Sequence, residues 1–271
     1  MHNLYFPAMQ DVGTRIARAP YLLLALDYDG TLTSIVDDPA EAHLAPPMRQ
    51  VLSALARRDE VALTIFSGRD DADLQALVGM PGVIYASNHG LEIHGPDFHF
   101  VEMEAAAASQ ATHALAQRLA DTFHSIQGVR VDDKGLSLSV HYRHVLPVDR
   151  GAVCHAVRAA VELEGDRFGV THGDMVYEIR PHQGWNKGDA VQWIRRQLGQ
   201  TETFIIYMGN DATDEHAFAA LAKDANLVTI KIGDSAETAA HYVLPGPAEA
   251  QSFLEWISEI LRERTIATAA R

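Results

Sequence analysis

Leu22-Leu23-Leu24-Ala25-Leu26-Asp27-Tyr28-Asp29-Gly30-Thr31-Leu32-Thr33 decides the fold of this 271-residue chain. The apolar run reads as a buried strand that stops at two carboxylates two residues apart, followed by Gly and Thr. A strand buried on both faces belongs to a parallel sheet covered by helices, and such open sheets bind ligands at their carboxyl edge. Asp-x-Asp-Gly is also a common turn and a fragment of a calcium loop. The calcium reading fails: the twelfth loop position counted from Asp27 is Asp38, not Glu, and no helices are expected to flank the loop.

Polar segments of the same kind recur along the chain. Ser67-Gly68-Arg69 follows an apolar strand at 61–66 and offers a hydroxyl and backbone N–H groups at a helix start, where anions are favoured. Gly209-Asn210-Asp211-Ala212-Thr213-Asp214-Glu215 follows another strand at 203–208, and its acidic residues taken singly fit helix capping. Trp185-Asn186-Lys187-Gly188-Asp189 opens a helix, with Asn186 as its N-cap and Asp189 near the third helical position. A lysine there faces the positive end of the helix dipole, which is unfavourable unless anionic groups stand opposite. Four segments that each close a strand or open a helix are not explained by capping alone.

Short apolar runs alternate with amphipathic stretches at both ends of the chain. Strands are expected at 21–26, 61–66, 83–87, 203–208 and 226–231, and helices at 47–58, 70–78, 187–198, 213–222 and 248–263. The last is marked by Ala250, Phe253, Leu254, Ile257, Ile260 and Leu261 at helical spacing. The middle reads differently: helix 105–126, strands 129–132 and 136–142, helix 148–163, then a hairpin of 168–172 and 175–180 turned at His172-Gly173-Asp174. That pattern makes an α+β layer. The fold class is therefore α/β, a doubly wound, Rossmann-like parallel sheet built from 1–103 and 183–271, with an α+β cap inserted at 104–182.

The 22 Lys+Arg against 36 Asp+Glu leave a net charge of −14, and no basic run appears, which excludes a nucleic-acid binder's charge balance. The apolar runs at 21–26, 61–66 and 204–208 are far short of the ~20 residues that span a bilayer, so no membrane partner is expected. No signal-peptide pattern stands at the N-terminus, and Cys154 is the single cysteine. A reducing cytoplasm is the default expectation, with Cys154 a packed thiol. His43, His94, His99, His113, His124, His155 and His241 form no zinc-spaced set.

The residues Asp27-x-Asp29-Gly30-Thr31, Ser67-Gly68-Arg69, Lys187 and Gly209-Asn210-Asp211-x-Thr213-Asp214-Glu215 resemble, in order and spacing, the four motifs of the haloacid dehalogenase superfamily of phosphatases. More narrowly, the chain is similar to the trehalose-6-phosphate phosphatase family. That similarity rests on Asn88-His89-Gly90-Leu91-Glu92-Ile93, on Lys134 followed by Ser139-Val140-His141-Tyr142-Arg143, on Glu178-Ile179-Arg180-Pro181 and on Thr213-Asp214-Glu215. It covers roughly 20–262.

The resemblance implies a Mg²⁺-dependent phosphatase that hydrolyses trehalose 6-phosphate through an aspartyl-phosphate, completing trehalose synthesis. Asp27 would attack phosphorus, and Asp29 would protonate the leaving sugar and then activate water. Ser67 and Lys187 would bind the phosphoryl group, and Asp214 would orient Lys187 or a metal-bound water. The metal would be held by Asp27, the Asp29 carbonyl and Asn210 or Asp211. Asn210 stands where the family usually has Asp, and the residues alone leave open which of the two is the ligand. Gly68, Arg69, Asn88, His89, Lys134, His141, Arg143 and Glu178 are the expected substrate-binding residues. The alternatives are another sugar-phosphate phosphatase, acting on sucrose phosphate or a hexose phosphate, a sugar phosphomutase with the same core, and an inactive sugar-phosphate sensor. A sensor would have no need of both Asp27 and Asp29.

Overall fold

The computed structural model describes residues 9–182, 184–234 and 237–269. Gln183, the expected return point to the core, lies outside them. The chain runs α1 (Gln10–Arg18), β1 (Tyr21–Asp27), α2 (Pro46–Ala56), β2 (Val61–Phe66), α3 (Asp71–Val78), β3 (Ile84–Ser87), β4 (Glu92–His94) and β5 (His99–Val101). Next come α4 (Met103–Phe123), β6 (Arg130–Asp133), β7 (Leu138–His141), α5 (Arg150–Glu162), β8 (Phe168–Gly173) and β9 (Val176–Pro181). The chain closes with α6 (Lys187–Leu198), β10 (Thr203–Gly209), α7 (Ala212–Leu221), β11 (Leu227–Ile232), β12 (Tyr242–Leu244) and α8 (Pro247–Ala269).

Two compact units form, one from the chain up to His99 and from Asn186 onward, the other from Phe100 to Trp185. The first holds the sheet β12-β11-β10-β1-β2-β3-β4-β5. Every pairing from β12 to β3 is parallel, and β4 turns antiparallel to β3. β1, β2, β10 and β11 are buried along nearly their whole length, so both faces of the sheet need apolar cover. Leu22, Leu24 and Leu26 join one core with Leu52, Leu74 and the α8 residues Phe253, Leu254, Ile257 and Leu261. From the alternate positions of the strands, Tyr207 meets Phe218 of α7 edge-on at 5.7 Å.

This order positions the site. From β1 the chain moves outward to β2 and β3 on one side, and it returns after α6 to β10 on the other. Loops leaving the carboxyl ends of β1, β2 and β10 therefore diverge around β1, the switch point at which open α/β sheets form a crevice.

The second unit is the antiparallel sheet β6-β7-β9-β8. Leu138 and Val140 of β7 and Tyr177 and Ile179 of β9 pack with Leu115, Leu119 and Phe123 of α4 and Val153 and Val157 of α5. Cys154 packs against the same cluster. Phe100 and Trp185, which bound the unit, stack at 5.2 Å. The hairpin turns at Asp174-Met175, later than the expected His172-Gly173-Asp174, because Gly173 still pairs with Val176 and leaves two residues for the turn, with Met175 at φ 58°. Among the described residues, no helix is long and apolar enough to cross a membrane.

Candidate active site

Alternation along an extended chain puts Asp27 and Asp29 on one side and Tyr28 on the other. The Tyr28 ring is buried, and its hydroxyl donates to the Ala42 carbonyl at 2.6 Å. The Tyr28 carbonyl accepts the N–H groups of Leu32 and Thr33, and the Gly30 N–H donates to the Thr33 carbonyl, so the loop is wound tightly over one peptide. Gly30 has φ 87°, and a Cβ there would collide with the Asn210 amide. Backbone conformation and the approach of Asn210 both require glycine.

Lys187 opens α6, capped as expected by Asn186 in a reciprocal capping box with Asp189. Its side chain is 1% exposed, and Nζ donates to Asp27 Oδ1 and to Asp214 Oδ1, each at 2.7 Å, with Asp211 Oδ1 at 3.9 Å. The carboxylates answer the unfavourable dipole. Burial works against the ammonium's charge, but Asp211, Asp214 and Asp27 together hold its pKa well above the ordinary lysine value. Burial pushes the Asp27 carboxyl up, with Lys187 pulling the other way.

Asp214 serves two elements at once. Its Oδ2 accepts the backbone N–H groups of Asn210 at 2.8 Å and Asp211 at 3.0 Å, closing the capping box of α7. Its Oδ1 accepts from Lys187 and from the Tyr207 hydroxyl at 2.6 Å. Capping and site chemistry thus use the same residues. Tyr207 was hidden from sequence reasoning, since a tyrosine in an apolar strand carries no signal for where its hydroxyl goes.

The Asn210 amide faces the Asp27–Asp29 loop. One of its terminal atoms lies 3.1 Å from Asp27 Oδ2, 3.0 Å from the Asp29 carbonyl and 3.3 Å from Thr31 Oγ1. Turned with Nδ2 inward, the amide donates to all three. Turned with Oδ1 inward, its oxygen stands about 3 Å from Asp27 Oδ2 and from the Asp29 carbonyl, the edge length of an octahedron with bonds of about 2.1 Å. Lys231 holds the Asn210 carbonyl at 2.7 Å from behind. Asp211 is differently engaged: its Oδ1 accepts from Thr213 Oγ1 at 2.7 Å and from the Asp214 N–H at 2.9 Å as the N-cap of α7. Burial opposes its ionisation, but Lys187, His89 and these donors hold its carboxyl below the usual range. Among the described residues no three His, Cys, Asp or Glu side chains form a metal-holding group. With Oδ1 inward, the oxygens offered there come from one carboxylate, one carbonyl and one amide.

Asp29 is held from the β2 side. Ser67 Oγ donates to its Oδ2 at 3.2 Å, and Arg69 donates to both its oxygens, Nε at 2.9 Å and Nη2 at 2.7 Å. Asn88 and His89 form a short turn after β3, with φ 49° and 60°, values uncommon outside glycine. Their N–H groups donate to the Arg69 and Ser67 carbonyls at 2.7 and 2.8 Å, and a Cβ on Gly68 would strike the His89 imidazole. The Ser-Gly-Arg and Asn-His segments therefore lock together.

In the second unit, Glu178 is paired in register with Ser139 on the sheet face opposite the helices. Its Oε2 accepts from Ser139 Oγ at 2.7 Å and from Lys134 Nζ at 3.3 Å. His141 pairs with Asp132 at 3.0 Å, and Arg143 with Asp174 at 2.7 Å beside the hairpin turn. The structure gathers Lys134 with Glu178 and gives His141 and Arg143 separate partners.

Residues 25–248 match the model of the family described as trehalose-phosphatase. A curated relative, the trehalose-phosphate phosphatase of Mycobacterium bovis, is 37% identical over 92% of this chain and 63% of its own length, so the chain spans less than two thirds of that relative. Among solved structures, the C-terminal domain of the Candida albicans trehalose-6-phosphate phosphatase superposes with a TM-score of 0.76 at 22% identity, covering 92% of this chain and 96% of that one. A haloacid dehalogenase-like hydrolase from Bacteroides thetaiotaomicron does so at 0.61 and 18%, covering 89% and 99%, which shows the shared fold. With a family match across most of its length, this chain belongs to the trehalose-phosphatase family.

Proposed function

We propose that the protein is a Mg²⁺-dependent phosphatase that hydrolyses trehalose 6-phosphate through an aspartyl-phosphate. The observation that carries this reading is the buried Lys187 ammonium, held against Asp27 at the end of β1, in a chain whose relative in Mycobacterium bovis is named a trehalose-phosphate phosphatase.

Asp27 is the nucleophile: its carboxylate oxygen forms a bond to phosphorus as the sugar oxygen leaves. Lys187 neutralises the phosphoryl oxygens and offsets the carboxylate excess, with Asp214 fixing its direction. Ser67 contributes a hydroxyl to the same oxygens. Asp29 gives its proton to the departing alkoxide, then takes one from the water that cleaves the acyl phosphate. With the Asn210 amide turned Oδ1 inward, the Asp27 carboxylate, the Asp29 carbonyl and the Asn210 oxygen would hold a small hard cation, and Mg²⁺ bound there would draw charge from the phosphoryl oxygens. Lys134 and Glu178, with Ser139, are the polar group offered to sugar hydroxyls. A cytoplasmic setting fits the single thiol.

The test is phosphate release from trehalose 6-phosphate, sucrose phosphate and glucose 6-phosphate with Mg²⁺, and acid-quench trapping of phosphoprotein. Preference for trehalose 6-phosphate with a trapped aspartyl-phosphate is expected. Isomerised sugar phosphate without free phosphate would make it a mutase, and no trapped intermediate in any variant would remove the covalent step.

A further inference from the structure

Arg69 was expected among the groups that meet substrate, but its donors are committed elsewhere. Beyond the two bonds to Asp29, Nη2 donates to the Pro39 carbonyl at 2.7 Å and Nη1 to Asp73 Oδ2 at 2.7 Å. Of the five N–H groups of a guanidinium, these four bonds leave one for anything else. The side chain is 10% exposed, whereas that of Asp29 is 41% exposed on a loop. A short carboxylate in that position has several rotamers open to it, and two parallel N–H···O bonds from a planar fork select one of them. Asp73 lies in the first turn of α3, where its own N–H is bonded to Asp70 Oδ1, so the far end of the guanidinium is anchored to a capped helix.

We infer that Arg69, braced by Asp73, is a positioning residue that aims the Asp29 carboxyl, which carries the transferred proton, at the leaving oxygen, and is not a phosphate-binding residue. This rests on the reading of Asp29 as the acid of the proposed reaction. Proton transfer requires a heavy-atom separation near 3 Å and acts only on a leaving group that needs the proton. A misaimed Asp29 therefore penalises a sugar alkoxide and spares a phenolate. Asp73, which is bonded to the brace rather than to Asp29, should show the same selectivity at smaller amplitude.

The experiment measures kcat/KM, which counts steps through departure of the leaving group, for trehalose 6-phosphate and for 4-nitrophenyl phosphate in the wild type, Arg69→Lys and Asp73→Asn. It also measures the inhibition constant of inorganic phosphate. Arg69→Lys keeps the charge and loses the fork; it should cost about ten- to a hundredfold on the sugar phosphate and less than about threefold on the aryl phosphate. Asp73→Asn should show the same bias, and inhibition by phosphate should be unchanged in both. Equal losses on the two substrates, a phosphate inhibition constant that rises with the loss, or unaltered sugar-phosphate kinetics in both variants would overturn the inference. If Arg69→Lys does not fold, Asp73→Asn decides alone. A wild type that releases phosphate from no sugar phosphate instead removes the phosphatase reading, and the inference falls with it.

Discussion

Lys187 Nζ lies 2.7 Å from Asp27 Oδ1 although the two residues are 160 positions apart. The start of a helix and the end of a strand are joined there by a buried ion pair, and Asp214 shares the same ammonium. Replacing the lysine strands two buried carboxylates without counter-charge. Lys187→Met should lose about 3–5 kcal/mol of stability by urea denaturation. Adding Asp27→Asn to it should restore part of that loss, because one stranded charge is gone. Independent, additive effects in the double variant would show that the pair is not coupled.

Asp27→Asn alone should fold, since Asp214 still pairs with Lys187 and the change is nearly isosteric. Its amide is a poor nucleophile. Phosphate release should fall by about three orders of magnitude or more, and no phosphoprotein should be trapped on acid quench. Near-normal release would remove the covalent step.

Much of this was legible before the fold was known, for a physical reason. Buried strands such as β1 and β10 carry unbroken apolar runs, and the polar residues that end them are forced to the sheet edge. Lys187 was conspicuous because its placement at a helix start is unfavourable alone. The elements that went unread are short: α1 buries only Val12 and Ile16, and β4, β5 and β12 have three residues each, too few for any period to show. Side-chain pairings were also out of reach. Arg69 meets Asp29 across 40 positions, and nothing in Ser-Gly-Arg separates a guanidinium that binds phosphate from one that holds a carboxylate.

The two orientations of the Asn210 amide lead to a prediction about the cation. Asn210→Asp puts a second carboxylate against Asp27 Oδ2, now 3.1 Å from the amide, so like charges repel unless a cation lies between them. Without Mg²⁺ the variant should melt below the wild type; with Mg²⁺ its melting temperature should rise more, and calorimetric Mg²⁺ affinity should tighten. Asp211→Asn keeps an equally good N-cap for α7 and should shift both quantities less. A larger effect at Asp211 would move the ligand to that position.

Glu60 ties β2 to α8. Its Oε1 accepts from Arg58 Nε at 3.0 Å and from Arg264 Nη2 at 3.1 Å, while Arg264 Nη1 donates to the Ala19 carbonyl at 2.6 Å. Burial opposes its ionisation, but the hydrogen bonds from Arg58 and Arg264, a backbone hydrogen bond and the Arg58 charge lower its pKa below 4.5. A carboxyl depressed in the folded state stabilises above its unfolded value, and that contribution is lost as pH falls through the lower, folded one. The wild type should therefore lose stability below about pH 4.5 by a margin that Glu60→Gln lacks, about 1 kcal/mol. Parallel stability–pH curves for the two proteins would show that the network contributes nothing.

Tyr207→Phe tests whether Asp214 steers Lys187 or merely caps α7. The Tyr207 hydroxyl is fully buried, and burial, followed by the nearby Asp214 and Asp27 charges, keeps its pKa well above the ordinary tyrosine value, so it remains a donor at working pH. Removing it leaves Asp214 Oδ1 with the bond from Lys187, while Oδ2 keeps the two backbone N–H groups of the cap. The α7 cap is thus untouched, and the stability cost should be that of one hydrogen bond to a charged group, about 1.5–3 kcal/mol. Lys187, however, would be aimed by a carboxylate freer to rotate. If Asp214 steers the ammonium onto the transferring phosphoryl group, kcat should drop several-fold with KM little changed, because the interaction strengthens as charge moves onto the phosphoryl oxygens. A stability loss of the stated size with unaltered kcat would confine the Tyr207–Asp214 pair to holding the fold.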